Sequence, residues 1–309
     1  VIELVARSDA MREAVRVATR VAATDANVLV TGESGAGKEA VARFIHARSS
    51  RAAAPFVKID CASLPADLLE AELFGYERGA FTGATAPRPG RLEAAQGGTI
   101  ALDEIAHLSV NAQAKLLRVI ERREFERLGG RRTIKVDARL IALTNVDLED
   151  AVSRRAFRPD LFYRLNVVRI HVPPLRERRA DVAQLARGFL KLYARKHGRR
   201  ARTISPDALA LLEGYEFPGN VRELLHVLER AVIVADGEEI EVEHLPESLR
   251  AAAVKLRRGR RPTLAEVEAD YVAETLAAAH GNKSEAARLL GISRKNLYER
   301  LARNSKSEG

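Results

Sequence analysis

The chain has 309 residues, 46% hydrophobic and 30% charged, enough for more than one core and too apolar for a disordered chain. Its single cysteine, Cys61, excludes an internal disulfide and any cysteine-cluster metal site, and its seven histidines show no paired ligand spacing. The formal charge is +9, and from Arg250 onward 13 Lys and Arg stand against 7 Asp and Glu, a bias that fits a nucleic-acid contact and a solvated basic tail equally well. No apolar run approaches the ~20 residues that span a bilayer and no charged-then-apolar leader opens the chain, so a cytoplasmic protein without membrane contact is expected.

Short apolar runs of strand length recur at residues 26–31, 56–60, 98–102 and 138–144. Their near-continuous hydrophobicity suits buried parallel strands. Helix-period stretches between them, such as 38–49 and 111–121, complete the alternation of an α/β sheet covered on both faces. A doubly wound P-loop core is therefore expected over residues 1–174. Past Pro173-Pro174 the strand signals fade, and 180–197, 206–215 and 220–235 read as amphipathic helices of a small helical domain over 175–249. Residues 250–262 hold six basic side chains and few core formers, as an exposed linker does. In 263–309, Thr263 is placed to cap a helix carrying Leu264, Val267, Tyr271, Val272 and Leu276 on one face. Two shorter helices, 283–290 and 294–303, then flank Gly291-Ile292-Ser293, the layout of a helix-turn-helix.

Two motifs carry chemistry. Gly32-Glu33-Ser34-Gly35-Ala36-Gly37-Lys38 follows an expected strand and opens a helix. In that context glycine lets backbone N–H groups close around phosphates, the helix N-terminus favours the anion, and Lys38 reaches the β- and γ-phosphates. Glu39 stands where such loops usually carry Ser or Thr. The second motif, Gly98-Thr-Ile-Ala-Leu-Asp103-Glu104, is a buried strand ending in two carboxylates. Such a pair holds Mg²⁺ through one acid, Asp103, and orients the attacking water through the next, Glu104. Between the motifs, Glu72-Leu-Phe-Gly75-Tyr-Glu-Arg-Gly79-Ala80-Phe81-Thr82-Gly83-Ala84 sets one aromatic and one hydroxyl among small residues, suited to a mobile tip that exposes Phe81.

Over nearly its whole length the chain resembles the bacterial enhancer-binding proteins, the sigma-54-dependent activators of the AAA+ superfamily. The Gly-Ala-Phe-Thr-Gly-Ala core is that family's signature, and its Gly-Glu-Ser-Gly-x-Gly-Lys-Glu loop makes Glu39 a family habit. The resemblance implies an ATPase with ATP and Mg²⁺ as cofactors, a helical lid and a homo-oligomeric, hexameric ring. Gly32, Glu33, Ser34, Gly35, Ala36, Gly37, Lys38 and Glu39 would bind nucleotide, with Arg222 of Phe217-Pro-Gly-Asn-Val-Arg222 as the lid's sensor II. Asn145 resembles sensor I near the γ-phosphate. Arg158 and Arg164, in Phe157-Arg158-Pro-Asp-Leu-Phe-Tyr-Arg164, resemble arginine fingers that complete a neighbouring subunit's site, so hydrolysis would depend on ring assembly. Gly79, Ala80, Phe81, Thr82, Gly83 and Ala84 would contact sigma-54 in the RNA polymerase holoenzyme.

Two departures stand out. Asp60 replaces the Asn that members often carry at the end of the second strand to hold the catalytic glutamate, so repulsion between Asp60 and Glu104 is expected. The Gly that precedes Ser8 in the family is replaced by Ala6 or Arg7, which perturbs the adenine-side loop. The tail from Gly281 to Leu301 resembles a Fis-type helix-turn-helix, dimeric on enhancer DNA. Ala286, Leu289, Leu290, Ile292, Leu297 and Leu301 would form its core, leaving Lys283, Arg294, Lys295, Asn296, Tyr298 and Arg300 for DNA. Two alternatives belong to other classes: a DNA-binding regulator or repressor whose ATPase module only oligomerises, and an unfoldase or helicase, which would need a substrate pore element and no helix-turn-helix. A start at Val1 with no receiver or ligand-sensing domain ahead of it suggests a fragment of a longer regulator.

Overall fold

The computed structural model describes residues 4–251, 268, 271–272, 275–276, 279 and 282–297. In chain order its elements are α1 (Asp9–Ala22), β1 (Val28–Thr31), α2 (Lys38–Ala47), β2 (Phe56–Asp60), α3 (Ala66–Phe74), β3 (Gly75–Tyr76), β4 (Arg88–Pro89), α4 (Arg91–Ala94), β5 (Thr99–Asp103), α5 (Val110–Arg122), β6 (Glu124–Glu126), β7 (Thr133–Lys135), β8 (Arg139–Thr144), α6 (Leu148–Ser153), α7 (Pro159–Leu165), β9 (Val168–His171), α8 (Val182–His197), β10 (Thr203–Ile204), α9 (Pro206–Gly214), α10 (Asn220–Val234), β11 (Glu239–Ile240) and α11 (Lys283–Leu289).

The four apolar runs become β1, β2, β5 and β8, joined by β9 in one parallel sheet of order β2-β5-β8-β1-β9. Side chains alternate across it, so each strand feeds two cores. Val28 and Val30 of β1 face α1 and α2, packing with Met11, Ala18, Val41 and Ile45. Leu29 faces the opposite core, with Ile59, Leu102 and Leu140 against Leu73, Phe74 and Leu116. Each such side chain, fully withdrawn from water, contributes about 1.5–3 kcal/mol. Cys61, immediately after β2, is buried in this second core, and burial pushes its thiol up to about 12.

The sequence reading missed β9 and α1. β9 lies at the sheet edge with only Ile170 buried, so it shows half-exposed alternation instead of a continuous apolar run. α1 is capped by Ser8 and ends under Arg139, which is 1% exposed and donates to the Val21 and Ala22 carbonyls at 2.7 and 3.2 Å. That arginine satisfies carbonyls a helix C-terminus leaves open.

After Pro174 the chain becomes helical as expected, with α8 and α10 packed together and α9 beside α8. Residues 1–246 form one compact unit and 247–309 a second. In the second unit, Asn282 caps α11 by accepting from Ser284 and Glu285 N–H. Gly291, at φ 66, turns the chain into a helical turn at 294–297. Val272, Ala279, Ala286, Ala287 and Leu297 form its core, with Leu276, Leu290 and Ile292 against it. Leu289, expected inside, is 55% exposed, because α11 turns Ala286 and Ala287 inward instead. Thr263, Leu264, Val267, Tyr298, Arg300 and Leu301 lie outside the described residues. Among the described residues no helix is long and apolar enough to cross a membrane.

Candidate nucleotide site and its loops

β1 ends at Thr31, and the next six residues turn into α2 with Gly32, Gly35 and Gly37 at positive φ. Lys38 opens α2 at 6% exposure, and its ammonium donates to the carbonyls of Gly32 (2.9 Å) and Glu33 (3.2 Å). It also lies 3.6 Å from a Glu104 carboxylate oxygen. Glu104 adopts a left-handed backbone, φ 52 and ψ 50, immediately after β5. A non-glycine residue holds that conformation only where its surroundings enforce it. Here the other carboxylate oxygen accepts from Asn145 N–H at 3.2 Å. P-loop lysine, strand-end glutamate and the backbone of the residue after β8 thus converge.

Asp103 ends β5 and pairs at 2.9 Å with Lys58 of β2, whose ammonium also meets Glu39 at 2.7 Å. Burial opposes charge on Glu39, but hydrogen bonds from Lys58 and Arg43 outweigh it and hold the carboxyl below its ordinary range. One strand-end carboxylate suits Mg²⁺, a cation that takes oxygen ligands and keeps most of its shell as water and phosphate oxygen. Asp103 is the residue that could hold it. Asp60 is exposed, and its carboxylate accepts from Ala62 N–H at 2.9 Å in its own turn.

The helical segment grips the loop from above. Asn220, fully buried, donates to Glu33 (3.0 Å) and to the Ser34 carbonyl (3.1 Å), and accepts from Leu175 N–H (2.7 Å). Val221 N–H donates to the Gly35 carbonyl at 3.1 Å, and Arg222 donates to the Ser34 hydroxyl at 3.0 Å. Glu33 also pairs with Arg176 at 2.5 Å, and hydrogen bonds from Arg176 and Asn220 lower its carboxyl to about 2. Buried Arg178 donates to the Ala36 carbonyl. Asp181, fully buried, accepts from Arg7 N–H (2.6 Å), Ser8 N–H (2.9 Å) and the Ser8 hydroxyl (3.0 Å). The segment before α1 is therefore fixed by three hydrogen bonds without the family's glycine.

Residues 77–87 form an excursion on the short β3–β4 pair. Its base is tied to the β6–β7 hairpin: Glu77 N–H donates to the Leu128 carbonyl at 2.9 Å, and Arg127 pairs with Glu77 (3.1 Å) and Glu93 (2.7 Å). The Gly79 N–H to Ala84 carbonyl bond, 2.8 Å, closes the tip. Phe81 is 42% exposed and meets Tyr76 edge-on, ring centroids 4.9 Å apart, while Thr82 and Gly83 are exposed and Ala84 is buried.

With this geometry in place, a sigma-54 interaction domain is matched over residues 4–171, a AAA+ ATPase lid domain over 176–261 and the Fis family of bacterial regulatory proteins over 263–303. The chain belongs to the sigma-54-dependent activators. It is 45% identical to the transcriptional regulatory protein FlbD of Caulobacter vibrioides, over 96% of this chain and 69% of that protein. It is 46% identical to the regulatory protein AtoC of Escherichia coli, over 96% and 67%. Its structure is similar to NtrX from Brucella abortus in complex with ATP, with TM-score 0.72 and 38% identity over 98% of this chain and 69% of that one. The architecture is accordingly a AAA+ P-loop core with a helical lid and a C-terminal helix-turn-helix.

Not every candidate in this activator converges on the P-loop. Arg158 pairs with Asp160 at 2.7 Å and Arg164 with Glu121 at 3.0 Å. Both guanidiniums are thus held by carboxylates of their own neighbourhood on the surface. The backbone of Arg158 is set by Gln113, fully buried, whose side-chain carbonyl accepts Arg158 N–H at 2.8 Å. In the second unit Lys283, Arg294, Lys295 and Asn296 are exposed, and the Ser293 hydroxyl accepts Asn296 N–H at 3.3 Å. Sequence reasoning passed over Lys58, Arg176, Arg178, Asp181 and Asn220. For Lys58 the usable signal was a cation inside the otherwise apolar start of Phe-Val-Lys-Ile-Asp; for Asn220, its place in the stretch read only for Arg222.

Proposed function

We propose that this activator binds Mg²⁺·ATP between P-loop and lid, hydrolyses it, and spends the cycle on driving residues 79–84 against sigma-54. Closed promoter complexes of RNA polymerase are thereby opened while the C-terminal modules, as dimers, hold enhancer DNA. The observation that carries this reading is the pairing, within one domain, of Lys38 beside Glu104 with a tip that presents Phe81 and Thr82 outward. The ATP complex of the similar NtrX structure supports the nucleotide.

In the mechanism, Lys38 leaves the loop carbonyls for the β- and γ-phosphates, and the N–H groups of residues 33–38 surround them. Mg²⁺, when bound, neutralises charge on the phosphate oxygens, and Asp103 is the side chain that would hold it. Glu104, oriented through Asn145, accepts a proton from the attacking water. Arg222 reports the phosphates to the lid through its place beside Ser34. Arg158 and Arg164 stabilise the transferring phosphoryl group across a subunit boundary, which makes a ring, a hexamer in this reading, the active form. The test is open-complex formation: the purified chain with ATP should open a sigma-54 polymerase–promoter complex, whereas a regulator that uses its ATPase module only for assembly would bind DNA and leave that complex closed.

A further inference from the structure

Lys58 has no role in the reading above, yet it bridges two parts of the site. β2 and β5 pair in register, Lys58 opposite Ala101 and Asp60 opposite Asp103. Residue 58 therefore shares its face of the sheet with residue 103, and its neighbour across the strands carries only a methyl group. The ammonium sits 2.7 Å from Glu39 of α2 and 2.9 Å from Asp103, with the side chain 29% exposed. Glu39 occupies the position where a neutral hydroxyl is usual in phosphate-binding loops, so this site gathers one carboxylate more than such loops normally bring. Arg43 also pairs with Glu39, at 2.8 Å, but Lys58 is the cation that meets both Glu39 and Asp103.

We propose that Lys58 determines how this site takes a divalent cation: by occupying Asp103 and balancing Glu39, it keeps the two carboxylates from binding metal alone and makes retention depend on the nucleotide's phosphates. The inference rests on the reading of the site as one for Mg²⁺·ATP. Its physical basis is competition. An ammonium and a divalent cation are attracted by the same carboxylate oxygens, and without Lys58 the Asp103 carboxylate and the Glu39 oxygen that does not meet Arg43 are a minimal ligand set for Mg²⁺ or Mn²⁺. Lys58 is a positioning residue in this role.

Mn²⁺ is the probe, titrated into nucleotide-free protein and followed by the electron paramagnetic resonance signal of the free aquo ion. Lys58→Met should bind Mn²⁺ at least about tenfold more tightly than the parent, and the Lys58→Met, Glu39→Gln double variant should return to within about threefold of it. Glu39→Gln alone leaves Lys58 to Asp103 undivided, so it should raise the Mg²⁺ concentration that half-saturates ATP hydrolysis, the opposite direction. A purely structural role for Lys58 would instead weaken metal and nucleotide binding together. Equal Mn²⁺ affinity in parent and Lys58→Met overturns the proposal. So does a Mg²⁺ requirement that is unchanged or lowered in Glu39→Gln, which leaves β2 intact and decides the matter should Lys58→Met fail to fold. If the parent neither binds nor hydrolyses ATP, the reading of the site fails instead, and the Mn²⁺ titration still decides the role of Lys58.

Discussion

Two loops of the same domain are built from glycine and small residues, 32–38 and 79–84, and they use glycine for opposite reasons. In the first, a Cβ on Gly35 would stand 2.4 Å from the Gly219 carbonyl oxygen and one on Gly32 2.5 Å from that of Val172. At these two positions glycine is there because other backbone comes too close for a side chain, whereas at Gly37, φ 102°, a Cβ would meet nothing within 4 Å. In the second, Gly79 and Gly83 also have positive φ, 83° and 102°, but a Cβ on either would meet nothing within 4 Å. One loop is clamped between sheet and lid. The other is tied at its base, with Phe81 edge-on to Tyr76 and Ala84 buried, and leaves Thr82 and Gly83 exposed at its tip. Under the proposed function, a site that holds phosphates in fixed geometry and a tip that engages a partner would make those two demands on the same residue type.

The largest effects are expected where the clamped loop carries chemistry. Lys38→Ala should lose ATP affinity by roughly a hundredfold or more, because it removes the cation facing the phosphates. Glu104→Gln should bind ATP within about threefold of the parent and lose hydrolysis by roughly 10²-fold or more, since the amide cannot accept the proton. Nucleotide titration beside steady-state turnover separates the two, and equal loss of binding in both would remove Glu104 from water activation.

The free loop should give the converse pattern. Thr82→Ala deletes one exposed hydroxyl in a loop without metal-ligating or proton-accepting side chains, so ATP affinity and turnover should stay within a few-fold of the parent. Capture of sigma-54 in the presence of ADP and aluminium fluoride should fall at least about tenfold, the cost of leaving a hydrogen-bonding partner unpaired at an interface. Wild-type capture by Thr82→Ala would show that the hydroxyl makes no such contact.

A stability comparison follows from the packing itself. Gly35→Ala combines a left-handed backbone with a backbone clash and should cost about 2–4 kcal/mol, whereas Gly83→Ala has only the backbone strain to meet, about 1 kcal/mol. Urea denaturation of both variants measures the gap, and equal costs would mean that the two loops are constrained alike.

What could be read from sequence tracks how locally each feature is encoded. The P-loop and the Asp103–Glu104 pair are contiguous, each following a strand that is apolar because it is buried on both faces. The lid's grip was invisible: Asn220 lies 187 residues from Glu33 and Asp181 lies 173 from Ser8, with no spacing to betray either contact. β9 escaped because an edge strand shows alternation over too few residues to stand out. Leu289 was placed inside because leucine is usually buried, but a core this small is closed by Ala286 and Ala287, whose short side chains let the helices approach. Arg158 and Arg164 are a different case: resemblance alone singles them out, and the chain pairs them with its own Asp160 and Glu121.

The smallest expected effect tests whether the clamp depends on any single charge. Glu33 is held to about 2, from an ordinary 4.5, by Arg176 first and Asn220 second. A carboxyl depressed in the fold binds fewer protons there than in the unfolded chain. Its contribution is therefore complete above about pH 4.5 and disappears as pH falls through about 2. The Glu33 and Arg176 side chains are 43% and 39% exposed, so solvent screening leaves the pair only a small contribution. Glu33→Gln should accordingly lower the urea midpoint only slightly at pH 7, with a difference that narrows in 0.5 M NaCl and shrinks further between pH 5 and pH 3. Asn220 would still hold the Ser34 carbonyl and Val221 the Gly35 carbonyl, so the loop should stay in place and ATP affinity should change by less than about threefold. A difference that widened on acidification would mean that Glu33 is protonated in the fold and that the clamp is held by neutral hydrogen bonds alone.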